Sequence, residues 1–171
     1  MLPPQPRLGR LRRFLADPRV ELVLDDGRNR IQRVERRYDL IEADALLPDA
    51  AGSGNVYSLE FFEAMSARLK PGGLMCTWAP TPRVAASFAR VFPHAVAFDE
   101  GSILVGSLDR IAIDPLLWQA RLAAGPGEYL GRQPRAGVER ALRGARPLER
   151  KTLEGVAPNR DLNPRDEFAS P

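Results

Sequence analysis

One cysteine, Cys76, and one histidine, His94, stand in a chain of 171 residues. A lone thiol cannot close an internal disulfide, and a lone imidazole cannot build a histidine-rich metal centre. Lysine is scarce too: of 25 basic residues only Lys70 and Lys151 are lysines, a bias that reads as genomic base composition. No apolar run approaches the ~18 residues that a membrane-spanning helix needs. The stretch from Met1 to Arg7 has no apolar core behind a basic start, so no signal peptide is expected, and a reduced, cytoplasmic setting is. What is present is ordinary for a globular chain. Shares of 44 % hydrophobic and 27 % charged residues exclude wholesale disorder. The length suits one domain, with roughly 70 % of the unfolded surface buried on folding.

The net charge of +3 is unevenly spread. Residues 1–37 hold ten arginines against five acids, and residues 121–171 ten basic residues against seven acids. Between them, residues 38–120 hold five basic residues against ten acids. A nucleic-acid binder gathers basic groups on its working surface, whereas an acidic centre suits a cationic substrate. The acidic middle argues against the alternative of nucleic-acid binding by the arginine-rich ends, and neither nucleic acid nor a membrane is an expected partner. Arg10, Arg12 and Arg13 read as the solvated face of a first helix.

Along the chain, strand and helix patterns alternate. Val20–Leu24, closed by Asp25-Asp26-Gly27, reads as a strand ending in a turn, and residues 28–37 as a modest amphipathic helix. Tyr38–Asp44 reads as a second strand and residues 47–55 as a loop. Ser58 then caps a helix whose Phe61, Met65 and Leu69 share one face, with Lys70-Pro71-Gly72-Gly73 as its stop. Leu74–Trp78 reads as a strand and Val84–Phe92 as a helix. Residues 96–98 and 103–105 flank Asp99-Glu100-Gly101-Ser102 as an antiparallel hairpin. A last helix starts at Asp114-Pro115, and a short one is expected near Val138–Arg143. The expected fold is α/β with a mainly parallel sheet and a terminal antiparallel hairpin. The expected division is residues 1–110 as this unit and 111–171 as a helix plus a Pro/Gly/Arg-rich tail, the tail being either a lid or poorly ordered.

Ligands of open parallel sheets sit beyond the carboxyl ends of the strands, where Asp25, Asp26 and Asp44 fall. Asp26-Gly27 is either an acceptor of hydrogen bonds from an exocyclic amine or hydroxyl, or an ordinary Asp-Gly turn. Asp44 is either a carboxylate that holds or deprotonates a cationic nucleophile, or a solvated strand end. Cys76 reads as a small core residue and His94 as a surface one. Gly52-Ser53-Gly54 is too short for a phosphate loop.

In order, Asp17-Pro18-Arg19-Val20 leading to Asp26-Gly27-Arg28, Tyr38-Asp39-Leu40-Ile41 leading to Asp44, Asn55–Phe61 and Leu69–Gly73 resemble the second half of a spermidine synthase, the polyamine aminopropyltransferase family. The likeness runs from about residue 10 to 108. Asn159–Pro164 resembles larger bacterial homologues in which this domain follows membrane helices. The resemblance implies a class I methyltransferase-like (Rossmann-type) fold and a diamine attacking the aminopropyl carbon of decarboxylated S-adenosylmethionine. That compound is a co-substrate, and no permanently bound cofactor or metal is implied. It implies Asp44 as proton acceptor, Asp26 and Gly27 as the adenine contact, and Tyr57 as a contact to the substrate near the amine channel.

Two departures bear on this. Family members carry a second aspartate three residues after the first, where this chain has Leu47. The family's N-terminal β-domain, glycine-rich strand-turn-helix and ribose-binding acid have no counterpart in the sequence. Without those strands, segments 20–24 and 38–44 either pair directly or each leave an apolar edge. The expectation is a truncated or split homologue completed by a second copy or another polypeptide. A non-catalytic remnant or subunit of an S-adenosylmethionine-dependent methyltransferase-like protein is the alternative, and methyl in place of aminopropyl transfer stays open.

Overall fold

The computed structural model describes residues 6–43, 47, 50, 52–125 and 132–166. Helix α1 (Pro6–Leu15) precedes a short α2 (Gly27–Arg33), strand β1 (Tyr38–Ala43), and helices α3 (Gly54–Tyr57) and α4 (Leu59–Ser66). Strand β2 (Leu69–Trp78), helix α5 (Pro82–Val91) and the hairpin of β3 (His94–Phe98) and β4 (Ile103–Ser107) follow. Helices α6 (Pro115–Ala124) and α7 (Arg132–Arg143) and a two-residue β5 (Arg146–Pro147) complete the elements. The sheet order is β1-β2-β4-β3-β5.

The elements with strong local signals form where those signals stand. Ser58 Oγ accepts from the Phe61 amide at 3.0 Å and starts α4. Thr81 Oγ1 accepts from Val84 at 3.2 Å, and Pro82 occupies the first turn of α5. Asp114 caps α6 in the same way at 2.9 Å. The hairpin turns through Asp99 and Glu100, both at positive φ, and Ser102 closes it with bonds to Asp99. The helix expected near Val138 is the second half of the longer α7.

The core lies where α4 and α5 cover one face of the sheet. Phe62, Phe88, Phe92, Met75, Val84 and Leu104 are all fully buried there. Phe62 meets Phe61 and Phe88 edge-on, with centroids 5.4 and 5.2 Å apart, and Phe88 lies 4.6 Å from Phe92. Such pairs add about 0.5–1.5 kcal/mol each beyond their buried area. Arg150 donates to the carbonyls of Ala89 and Phe92 and so closes the carboxyl end of α5.

The segment 156–166 returns across the helices as a strap. Asn159, 1 % exposed, donates from its amide to Ser87 Oγ at 2.9 Å, and its carbonyl accepts from Leu59 at 2.9 Å. Its side-chain amide donates to Asp166 at 2.8 Å, and Thr81 and Arg83 hold that same carboxylate from α5.

Two expectations fail, both for reasons of pairing. Val20–Leu24 forms no strand: it joins no ladder, and Leu22 and Leu24 are 77 % and 103 % exposed. Strand propensity yields a strand only where a neighbour takes up the backbone groups. The parallel part of the sheet is accordingly small: β1 and β2 run parallel, while β2–β4, β4–β3 and β3–β5 are antiparallel. Second, Lys70–Gly73 does not stop α4, which ends at Ser66, but belongs to β2. The Tyr38 amide donates to Arg68 at 2.8 Å and opens the β1–β2 ladder before the glycines, whose extra residues are absorbed as a register shift between Tyr38 and Leu40. Gly73 is required there, since a Cβ would lie 2.9 Å from the Lys70 carbonyl and 3.1 Å from that of Tyr38.

Candidate ligand site at the end of the first strand

A cavity of about 830 Å³ opens between α2, the carboxyl end of β1, α3, α4 and the strap. Each wall has a local cause. Asp26 Oδ1 accepts from the Asn29 amide at 2.7 Å, which caps α2 and sets Asp26 and Gly27 at the cavity's edge. Pairing of β1 with β2 brings Glu42 and Ala43 to it, because Glu42 lies opposite Cys76 and Ala43 opposite Thr77. The short α3 supplies Asn55 and Val56. Arg68 donates to the carbonyls of Ile31 and Gln32 at 3.1 and 2.9 Å, fastening the end of α2 to the α4–β2 connection.

The charged side chains lining the cavity, among the described residues, are Asp26, Glu42, Asp161 and Arg28. Arg28 meets Asp161 through two bonds, Nη1 to Oδ1 at 2.8 Å and Nη2 to Oδ2 at 2.5 Å. Its Nη1 also donates to the Asn55 carbonyl at 2.7 Å. The guanidinium, helped by the Ser58 hydroxyl, holds the Asp161 carboxyl below its ordinary range, and the carboxylate raises Arg28 in turn. With that pair internally compensated, Asp26 and Glu42 leave the cavity acidic. A cation is the favoured guest.

Of the residues expected from the sequence, Asp26 and Gly27 line this cavity together. Gly27 has no need of glycine for its own fold: its φ is not positive, and a Cβ there would meet nothing within 4 Å. Tyr57 is 1 % exposed, sits in the core cluster and is not among the lining residues. Asp44 lies outside the described residues. It follows Ala43, which lines both this cavity and a second one of about 430 Å³ beside Trp78 and Ile103. Arg28, Asn55, Glu42 and Asp161 are site residues that sequence reasoning missed. The signal for Asp161 in the sequence is its place in Asn159–Pro164, a stretch whose resemblance points to no role at the site. Among the described residues no group of three or more His, Cys, Asp or Glu is arranged to hold a metal ion, and no helix is long and apolar enough to cross a membrane.

Comparison with known proteins bears on these walls. Residues 7–90 match the spermine/spermidine synthase domain. Polyamine aminopropyltransferase 2 of Hyperthermus butylicus is 34 % identical over 80 residues, which are 46 % of this chain and 26 % of that protein. Putrescine N-methyltransferase 2 of Nicotiana tabacum is 39 % identical over 64 residues, 37 % of this chain and 18 % of that protein. The matched stretches thus span about a quarter or less of these relatives. A probable spermidine synthase from Corynebacterium glutamicum superposes with a TM-score of 0.60 at 23 % identity, covering 91 % of this chain and 60 % of that one. That likeness shows a shared class I methyltransferase-like fold, with the mixed α/β sheet described above. The likeness to the spermine/spermidine synthase domain thus runs through residues 7–90, 84 of the 171 residues of the chain.

Proposed function

We propose that this chain is an aminopropyltransferase-like protein whose cavity takes the nucleoside end of decarboxylated S-adenosylmethionine. The observation that carries the reading is Gly27. Neither backbone nor packing demands glycine there, and it stands on the cavity wall beside a carboxylate. A residue without a side chain lets a ligand approach the main chain closely. Asp26 would accept from the exocyclic amine of the adenine. Asp44, one residue beyond Ala43, would accept the proton of the attacking amine. The balance is simple: a diamine nitrogen forms a bond to the aminopropyl carbon next to sulfur, and the carbon–sulfur bond breaks. Its electron pair stays on sulfur as methylthioadenosine, and the ammonium proton passes to the Asp44 carboxylate. The sulfonium leaves readily, so alignment of the partners and removal of that proton are what the protein supplies. The acidity from Asp26 and Glu42 suits both the sulfonium and the amine. For Tyr57, burial favours an indirect part, holding Val56 and Asn55 at the wall from the core beneath.

Calorimetric titration of the whole chain with methylthioadenosine tests this. Saturable binding is expected, lost in Gly27→Ala while its melting temperature does not fall. Transfer from decarboxylated S-adenosylmethionine to putrescine, abolished in Asp44→Asn, is the second step. Transfer of methyl from S-adenosylmethionine instead would move the reading to a methyltransferase. A folded chain that binds no nucleoside would refute it.

A non-catalytic subunit is the second reading, favoured by one observation. Among the described residues β1 pairs on one side only, and Leu22, Leu24 and Leu40 lie exposed nearby in sequence. We propose that a second copy or a complementing chain covers them. A monodisperse monomer in sedimentation, alone and active, would count against both this partner and the subunit reading.

A further inference from the structure

Arg28 is the one cation among the described residues lining the cavity, and its guanidinium is spoken for on two sides. Asn55 takes one bond from it, and Asp161, 133 residues further along the chain, takes two. A fork-to-fork pair fixes the plane of a guanidinium as well as its position, which a single carbonyl does not. One side chain thereby joins α2, α3 and the strap around the same opening. The pair is also poorly screened: the Arg28 side chain is 15 % exposed and that of Asp161 32 %.

Asp161 is presented from a firm base. Glu60 accepts from its amide at 3.2 Å and from the neighbouring Arg160 at 3.1 Å. The strap is separately anchored to α5 through Asn159, Asp166, Thr81 and Arg83. Removal of the Asp161 charge therefore leaves the strap attached. What changes is Arg28, which would lose its bonded carboxylate and add a positive charge to the cavity, with Glu60 and Asp26 acting on it only from a distance.

We infer that Asp161 is a positioning residue of the cavity: it holds Arg28 of α2 against Asn55 of α3 and cancels its charge, so that the site selects a cationic nucleoside over an anionic one. The selectivity rests on the proposed nucleoside function; the bracing of the wall does not.

The test compares the full chain with Asp161→Asn, Asp161→Glu and, as a control on the strap away from the cavity, Asp166→Asn. Hydrogen exchange without ligand reads the wall. Asp161→Asn is expected to speed exchange across residues 27–33 and 54–57 by about tenfold, leaving β2 and β4 as they were, and Asp161→Glu to restore most of the protection. Unchanged exchange at residues 27–33 in Asp161→Asn would overturn the bracing. Dissociation constants for decarboxylated S-adenosylmethionine and adenosine 5′-monophosphate read the charge. Their ratio is expected to shift toward the anion on the order of fivefold in Asp161→Asn, from one added charge at several ångströms in a partly wetted cavity. Asp166→Asn is expected to lower the melting temperature without moving that ratio. A ratio constant within twofold in Asp161→Asn, or moved equally by Asp166→Asn, would overturn the selectivity. If neither nucleoside binds the wild type, the nucleoside function and the selectivity resting on it fail, and exchange alone decides the bracing.

Discussion

Gly106 of β4 is where the sheet and α5 come closest. A Cβ built there would lie 2.7 Å from Phe88 Cε1, 2.7 Å from Phe88 Cζ and 2.7 Å from Phe92 Cβ. Carbon–carbon contacts settle near 3.5–4.0 Å, so Gly106→Ala requires a displacement of roughly 0.8 Å or more. The neighbours cannot supply it cheaply. Phe88 is wedged between Phe62 and Phe92, and a Cβ atom such as that of Phe92 moves only with its backbone. Arg150 meanwhile ties the end of α5 through the carbonyls of Ala89 and Phe92. Overpacking costs about 1–3 kcal/mol, and this site belongs at the upper end. Loss of glycine's freedom in the unfolded chain offsets about 0.4–1 kcal/mol, leaving a net loss of about 2 kcal/mol. In urea the midpoint should fall by about 1 M with the slope unchanged, taking a slope near 2 kcal/mol per molar. In a Phe88→Leu background the penalty of Gly106→Ala should shrink, because two of the three contacts are to the ring. A loss under about 0.5 kcal/mol, or an equal loss in both backgrounds, would refute the packing described here.

Arg150→Met keeps an apolar stem but leaves the Ala89 and Phe92 carbonyls without their guanidinium donor. Urea unfolding should show a loss of about 2 kcal/mol, and no loss would mean that water serves those carbonyls equally well. Stability in acid should also report on Asp161. Its carboxyl is held below the usual range, first by Arg28, so its contribution is complete above the ordinary carboxylate value near 4 and is lost as pH falls through the lowered one. The gap in unfolding free energy between wild type and Asp161→Asn should therefore be constant from about pH 7 to 5 and close below about pH 4, as followed by urea titration at each pH. A gap that persists at low pH would place the effect of the substitution elsewhere than in this ion pair.

Much of the fold was legible in the residues because its causes are local. Ser58, Thr81 and Asp114 each accept a bond from an amide three positions ahead; Ser58 and Asp114 start their helices where the sequence says, and Thr81 starts α5 at Pro82, two residues before the expected Val84. The hairpin turns where Asp-Glu-Gly-Ser stands, and β1 lies where Tyr38-Asp39-Leu40-Ile41 was read. Asp26 and Gly27 line the cavity, but as the cap and first residue of α2 and not as the turn that closes a strand. Tertiary structure decided the rest. Val20–Leu24 has the composition of a strand but no neighbour to pair with, and Lys70–Gly73 has the composition of a stop but is drawn into β2 by the bond from Tyr38 to Arg68. Nothing near Arg28 in sequence announces Asp161, 133 residues away. A helix cap is settled within one turn of chain. A ladder or an ion pair between distant segments exists only once packing has brought both partners to one place, so residue order alone carries the first kind of information and not the second.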